Sequence, residues 1–394
     1  MRMSGRPTWA RWVTRISLGI AIVALIFTIR DLGLRALAKY FRMIGWWWIA
    51  VLVLEVTITS LDAVAIRAFL SPEHSKVRFR ATLLSQLAGR AVNAVTPGGN
   101  LGEAVKVSVL TDYVSQSRAV STILFYNIVS FTVELATVAV AAPFMALLVP
   151  MPTSLRWLML AVGLACFLLA IALNALVRHG VLATLARIAK RIPVPGLALV
   201  RRRLWNLENP SRYLLSQERY ESWRGGLAAV DDNMHVSTGA RARDRWLGIA
   251  AVVLSRGTSM TLSLLILHAV GEPITLGFVA AYTVGGFAIY LLSSLVPMGL
   301  GISEGGNYAL FRALGYNPAR GVTLVLARRV TLIVYAAIGL VLVTASETVK
   351  RAKARHLPVR QLEVAPASAP PLSVNLPVTS ASQVAAAHVT DVAD

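Results

Sequence analysis

Apolar residues run through this chain in long blocks separated by short polar segments. Blocks 12–29, 46–70, 120–149, 155–177, 246–269 and 322–346 each supply the roughly 20 helical residues that cross about 30 Å of hydrocarbon. Between the second and third blocks, and again between the fifth and sixth, the pattern changes. Segments 80–110 and 275–314 each divide into two shorter apolar helices around a proline and a glycine-rich break. Those half-length helices read as re-entrant hairpins, because irregular backbone in a membrane must face protein or a water-filled cavity. The pattern predicts an all-α polytopic membrane protein of about six full spans plus two re-entrant helical hairpins.

The ends of the blocks fit this reading. Trp46, Trp47, Trp48 and Trp246 stand where aromatic residues anchor helices at the interface. Block 16–29 follows Arg2, Arg6, Arg11 and Arg15, as in a signal peptide. It runs into Thr28-Ile29-Arg30-Asp31 without a small-x-small cleavage site, so it reads as a retained first helix starting near Trp12.

Composition agrees: 56% of residues are hydrophobic, 15% are charged, and the mean hydropathy is +0.63. The formal net charge of +20 would point to nucleic acid in a soluble protein. Here the basic residues gather in 1–15, 71–79, 178–245 and 350–355, while 150–154 and 270–275 have no Lys or Arg. That asymmetry sets topology, not nucleic-acid binding, and puts both termini in the cytoplasm. Loop 30–45, with Arg30, Arg35, Lys39 and Arg42, falls on the outer side against the rule. In this topology the first hairpin enters from the cytoplasm and the second from outside. Blocks 46–70 and 246–269 then run in opposite directions, which describes an inverted repeat of 46–149 and 246–346.

Other features add less. Cys166 is the single cysteine, which excludes an internal disulfide and a cysteine metal cluster and suits core packing. The basic insertion 178–245 carries Trp205, Tyr213, Tyr220 and Trp223. It reads either as amphipathic helices on an anionic lipid surface or as a solvated connector. Residues 357–394, rich in Ala, Pro, Ser and Val, read as a disordered tail.

The breaks hold the candidate chemistry. Thr96-Pro97-Gly98-Gly99-Asn100-Leu101-Gly102-Glu103 and Val296-Pro297-Met298-Gly299-Leu300-Gly301-Ile302-Ser303-Glu304 have the same order of features. A carboxylate costs about 2.5 kcal/mol or more at the bilayer centre, so a repeated one has a use. Two compatible readings stand for Glu103 and Glu304. They face a central cavity to bind a cation, relay protons or cap a half-helix, or they accept from amides freed by their own glycine breaks. The broken helix ends favour an anionic group such as a lipid phosphate. Arg90 and Lys106 flank the first break; Arg312, Arg328 and Arg329 surround the second.

Arg90 and Arg328 are the candidates for headgroup contact, the alternative being ion pairs with the two glutamates. Glu55 and Arg256, at equivalent depths in the paired blocks, suggest a cross-repeat ion pair. Asp62, Glu134 and His268 are ionisable without a repeated context. Asn93 and Ser293 hold matched positions before each proline and either line the cavity or bond local backbone. The predicted cavity set is Arg90, Asn93, Pro97, Gly98, Gly99, Asn100, Gly102, Glu103, Lys106, Pro297, Gly299, Gly301, Glu304 and Arg328.

Enzyme motifs are weak. Gly301-Ile302-Ser303-Glu304-Gly305 lacks a strand-to-helix elbow, and Gly299-Leu300-Gly301 lacks a surrounding βαβ unit. No histidine–carboxylate group has metal-ligand spacing. The sequence therefore predicts no catalytic residue, metal or cofactor.

Pro97-Gly98-Gly99-Asn100-Leu101-Gly102-Glu103-Ala104-Val105-Lys106, followed by Pro297, Gly299, Gly301, Glu304 and Arg328, resembles a flippase-like integral membrane family. That family includes the transmembrane region of lysylphosphatidylglycerol synthases. The resemblance covers about 12–350 and implies one flippase-like domain over 1–350, with re-entrant helices. In bifunctional relatives a soluble C-terminal domain charges phosphatidylglycerol with an amino acid. Nothing after residue 350 suits such a domain, so the expectation is a stand-alone member. The family often carries an acidic–basic pair in the helix after the first motif, where this chain has uncharged Phe125-Tyr126-Asn127-Ile128-Val129-Ser130. Aminoacylated phosphatidylglycerol, polyprenyl-linked lipids and hopanoids all stay open.

The implied function is translocation of a lipid, with an anionic or aminoacylated headgroup, between leaflets. Two alternatives stand: an intramembrane lipid-group transferase with Glu103 and Glu304 as acid and base, or a non-catalytic partner of a separate lipid synthase. The sequence shows no nucleotide-binding motif, leaving passive, ion-coupled or partner-driven movement. Expected partners are a lipid substrate and an anionic lipid surface, not nucleic acid.

Overall fold

The computed structural model describes residues 42, 44–93, 101–179, 225–226, 228–234, 242–294, 296, 299, 301–332, 334 and 337–338, all within one compact unit, Met1–Glu347. The expected first span 12–29, residues Pro97, Gly98, Gly99, Asn100 and Pro297, most of the 178–245 insertion, the end of the last span and the 357–394 tail lie outside the described residues.

The described residues form helices and no strand. In chain order they are α1 (Trp47–Phe69), a 3-10 turn (Glu73–Lys76), α2 (Phe79–Asn93), α3 (Leu101–Leu110), α4 (Gln116–Leu148), α5 (Thr153–His179), α6 (Ala242–Ala269), α7 (Leu276–Ser293) and α8 (Ile302–Ala313). Residues 228–234 and 318–332 are also helical. Five of these, α1, α4, α5 to Val177, α6 and α7, are long and apolar enough to cross a membrane. Four of them match predicted spans. The fifth, α7, was expected as half of a hairpin. Its 18 apolar residues suffice on length alone to span. By contrast α2, α3 and α8, with 15, 10 and 12 residues, extend only about 23, 15 and 18 Å at 1.5 Å per residue.

Local chemistry sets several helix ends. Ser115 Oγ accepts from Arg118 N at 3.4 Å to start α4, and Thr275 Oγ1 accepts from Phe278 N at 3.1 Å to start α7. Pro143 inside α4 lacks the N–H that would bond Ala139 O. Gly163 of α5 packs against that site: a Cβ there would meet Ala142 Cβ at 3.1 Å and Ala139 O at 3.4 Å.

The central feature is the pairing of α1 with α6. Trp47 meets His268 edge-on at 5.6 Å, Ser255 Oγ donates to Asp62 Oδ1 at 2.7 Å, and Gly248 leaves the space that the Phe69 ring fills. Low numbers on one helix meet high numbers on the other, so the two are antiparallel. Both helices feed two separate cores. One gathers Phe69, Leu70, Leu110, Ile123, Phe125 and Val252; the other gathers Trp48, Val51, Ile58, Leu262, Phe278 and Phe311. On α5, Trp157, Leu158, Leu164, Phe167 and Leu168 point outward. An apolar exterior of this kind is what hydrocarbon solvates.

Candidate functional site

At the first break, α2 and α3 meet backbone to backbone. A Cβ on Gly102 would fall 2.1 Å from Gly89 O and 2.3 Å from Asn93 Oδ1, so only glycine fits. Asn93 then joins the two helices: its Oδ1 accepts from Gly102 N at 2.6 Å, and its Nδ2 donates to Glu103 Oε1 at 3.0 Å. Lys106, one turn on, reaches the same carboxylate oxygen at 2.8 Å and is 4% exposed. Asn127 of α4 donates to the other oxygen at 2.9 Å. Glu103 is therefore neutralised and saturated almost entirely by its own hairpin.

At the second break, Gly301 has φ of +80°, a left-handed conformation that favours glycine, and its N–H donates to Glu304 Oε2 at 2.9 Å. Glu304 also pairs with Arg329 from the 318–332 helix. Ser303 Oγ donates to Ser293 Oγ at 2.9 Å, ten residues apart like Asn93 and Glu103. Here α7 and α8 close glycine against aliphatic side chains: Gly285 on Leu310 and Gly306 on Ile289.

The predicted headgroup arginines have different surroundings. Arg90 donates to Glu55 Oε2 and to Thr59 Oγ1, each at 2.7 Å. Arg328 donates to Ser263 Oγ at 2.6 Å and Ser259 Oγ at 3.2 Å, and among the described residues no carboxylate pairs with it. Neither arginine pairs with Glu103 or Glu304. The expected Glu55–Arg256 pair is not formed. Antiparallel packing sets Asp62 opposite Ser255, so Glu55 lies about two helical turns from Arg256.

Arg256 instead enters a network that the sequence reading did not assemble. Its Nη2 lies 3.7 Å from Asp62 Oδ1, and its Nη1 lies 3.5 Å from Glu134 Oε1 on α4. It also donates to Tyr126 Oη at 3.2 Å and Ser130 Oγ at 3.4 Å. Gln86 Nε2 donates to Asp62 Oδ2 at 2.9 Å and Tyr126 Oη at 3.4 Å. The signal for Asn127 and Tyr126 was polarity inside the apolar block 120–149. It carried no charge and so drew no weight. Among the described residues, no cluster of His, Cys, Asp or Glu could hold a metal ion.

Helices that break inside an apolar bundle, with paired carboxylates and cations at the breaks, define a polytopic membrane protein with a polar interior. The chain belongs to the family of the lysylphosphatidylglycerol synthase transmembrane region, whose model matches residues 15–339. This membership points to a lipid-related role in a membrane. No curated protein and no solved structure matches the chain.

Proposed function

We propose that this protein moves a lipid with an anionic headgroup between the leaflets of a bacterial-type inner membrane. Arg328 carries this reading. A guanidinium in an apolar helix costs about 2.5–3.5 kcal/mol at mid-membrane, and two neutral hydroxyls offset little of that. A phosphate would supply the missing counter-charge and match the planar fork. Phosphatidylglycerol, its aminoacylated forms and polyprenyl phosphates all present that group. The transferase alternative has less support, because Glu103 accepts from three side chains and Glu304 from Arg329 and Gly301 N–H.

The helices would form an inverted repeat with two re-entrant hairpins and cytoplasmic termini. The antiparallel α1 and α6 support this, as do the glutamates in the first turn of α3 and of α8. Two single cysteines test it, after Cys166→Ser. One at Tyr113 is expected to react from the cytoplasmic side and one at Asn317 from the other. Reaction of both from one side removes the inversion.

The function is tested in proteoliposomes holding a fluorescent phosphatidylglycerol and an external, impermeant reductant. With the protein, the protected inner-leaflet fraction is expected to disappear and the remaining lipid to be chemically unchanged. Arg328→Gln should slow that loss about tenfold, equivalent to ~1.4 kcal/mol. Full protection in the presence of folded protein overturns the reading, and a new lipid product makes the protein an enzyme.

A further inference from the structure

One arginine faces two carboxylates in the network of α1, α4 and α6, which leaves a surplus negative charge deep in the protein. The two carboxylates are not equivalent. Asp62 is 4% exposed and accepts short hydrogen bonds from Ser255 at 2.7 Å and Gln86 at 2.9 Å. Glu134 lies near the middle of α4, and among the described residues its polar partner is Arg256, 3.5 Å away. Among the described residues no neutral hydrogen-bond donor reaches it. Its side chain is 26% exposed against 4% for Asp62, so of the two it is the carboxylate open to a further partner.

The neighbours of Glu134 come from every helix around it. Arg256 approaches from α6, Asp62 acts from α1, and Tyr126 and Ser130 lie on its own helix. Tyr290 of α7 lies within electrostatic reach of Glu134, Arg256 and Glu103, which brings the first break towards the same region. Two atoms of the network, Gln86 Oε1 and Arg256 Nε, are buried without a hydrogen-bond partner among the described residues. Buried polar atoms of that kind are where internal water binds.

We propose that Glu134 is a proton-binding site that couples proton movement to lipid translocation. The inference rests on the translocase reading for its coupling and on the geometry alone for its site. Ionised, Glu134 shares Arg256 with Asp62, and the guanidinium ties α4 to α1 and α6. A proton taken from water on one side converts the Glu134 carboxylate to a carboxylic acid, and no other bond forms or breaks. Arg256 then has Asp62 as its one charged partner, and its hold on α4 falls to the neutral hydroxyls of Tyr126 and Ser130. Loss of the proton to the opposite side restores it. A proton balances the surplus charge without a ligand cage, whereas a metal ion would need more ligating groups than gather here.

The test uses the full chain in phosphatidylglycerol nanodiscs and in proteoliposomes. Infrared difference spectra between about pH 5 and 9 should show a carboxylic-acid stretch that titrates. Glu134→Gln should remove that band and Glu134→Asp should keep it, shifted. In proteoliposomes with fluorescent phosphatidylglycerol, a gradient of about one pH unit should sustain up to about a tenfold lipid asymmetry at one proton per lipid. Glu134→Gln should bring that ratio to one. A band that survives in folded Glu134→Gln overturns the proposal, and so does a wild type indifferent to the gradient. If the wild type moves no lipid but its band titrates and vanishes in Glu134→Gln, the translocase reading falls while the site is supported. If Glu134→Gln instead loses only selectivity for aminoacylated lipid, the surplus charge serves a lipid ammonium and the proton site is overturned.

Discussion

Glu103 and Glu304 occupy the same place in two helix breaks, yet their partners come from different distances. Asn93, Lys106 and Gly102 settle the first break from within ten residues of the glutamate, with Asn127 added from α4. The second draws Arg329 from the 318–332 helix and has no lysine of its own. The arginines diverge in the same way. Arg90 meets Thr59 and Glu55 on α1, whereas Arg328 meets Ser259 and Ser263 on α6. At the first break the charges are matched by near neighbours, and at the second Arg328 has no carboxylate partner among the described residues. The two breaks share their order of residues but not the partners around them.

Removing Arg90 should have the largest effect on folding. Arg90→Ala leaves Glu55, 8% exposed, as a buried charge without its partner. Loss of about 3–5 kcal/mol is expected. Arg328→Ala removes a cation that has no carboxylate partner among the described residues, so thermal unfolding in detergent should show no loss of stability. Equal destabilisation by the two variants would erase the distinction between the halves.

The hairpins should differ next. Gly102→Ala drives a methyl into Gly89 O and Asn93 and should cost about 3 kcal/mol. Gly285→Ala meets the end of Leu310, a flexible side chain, and should cost less than about 1 kcal/mol. Melting temperatures of the purified variants decide it.

Much of this was legible in the chain. Long apolar blocks gave α1, α4, α5 and α6, because a membrane enforces length and composition together. Proline and glycine marked both breaks, and Glu103 and Glu304 stand in the first turn after each. The identity of α7 was not legible, since 18 apolar residues suit a span and a hairpin arm alike. Nor was the partner of Arg256. Equal depth in paired blocks suggested Glu55, but antiparallel packing reverses the register and offers Asp62 and Glu134. Sequence showed Arg328 as a cation in an apolar block. That its partners among the described residues are two serines of α6 and no carboxylate was visible only in the structure.

A double variant separates charge from folding at the first break. Glu103→Gln leaves Lys106 charged and buried, at a cost of about 2 kcal/mol. Adding Lys106→Met should recover most of that stability while lipid movement stays low. Transport restored along with stability would make Glu103 purely structural.

The smallest expected effects lie in the hydroxyls beneath the two arginines. Ser259→Ala removes one of two hydrogen bonds that aim Arg328, at 3.2 Å, and leaves Ser263 in place. A hydrogen bond to a charged group contributes about 1.5 kcal/mol, and its length here puts Ser259 nearer 1 kcal/mol. Because Arg328 has no carboxylate to hold it, that loss should appear in ligand affinity as about a fivefold weaker dissociation constant for phosphatidylglycerol in detergent titrations. Thr59→Ala makes the equivalent cut under Arg90, which keeps its 2.7 Å contact with Glu55. Its affinity for the same lipid should stay within about twofold of the unmodified protein, with the loss read as a small drop in stability instead. A larger effect on affinity from Thr59 than from Ser259 would assign the headgroup to the first half and reverse the comparison.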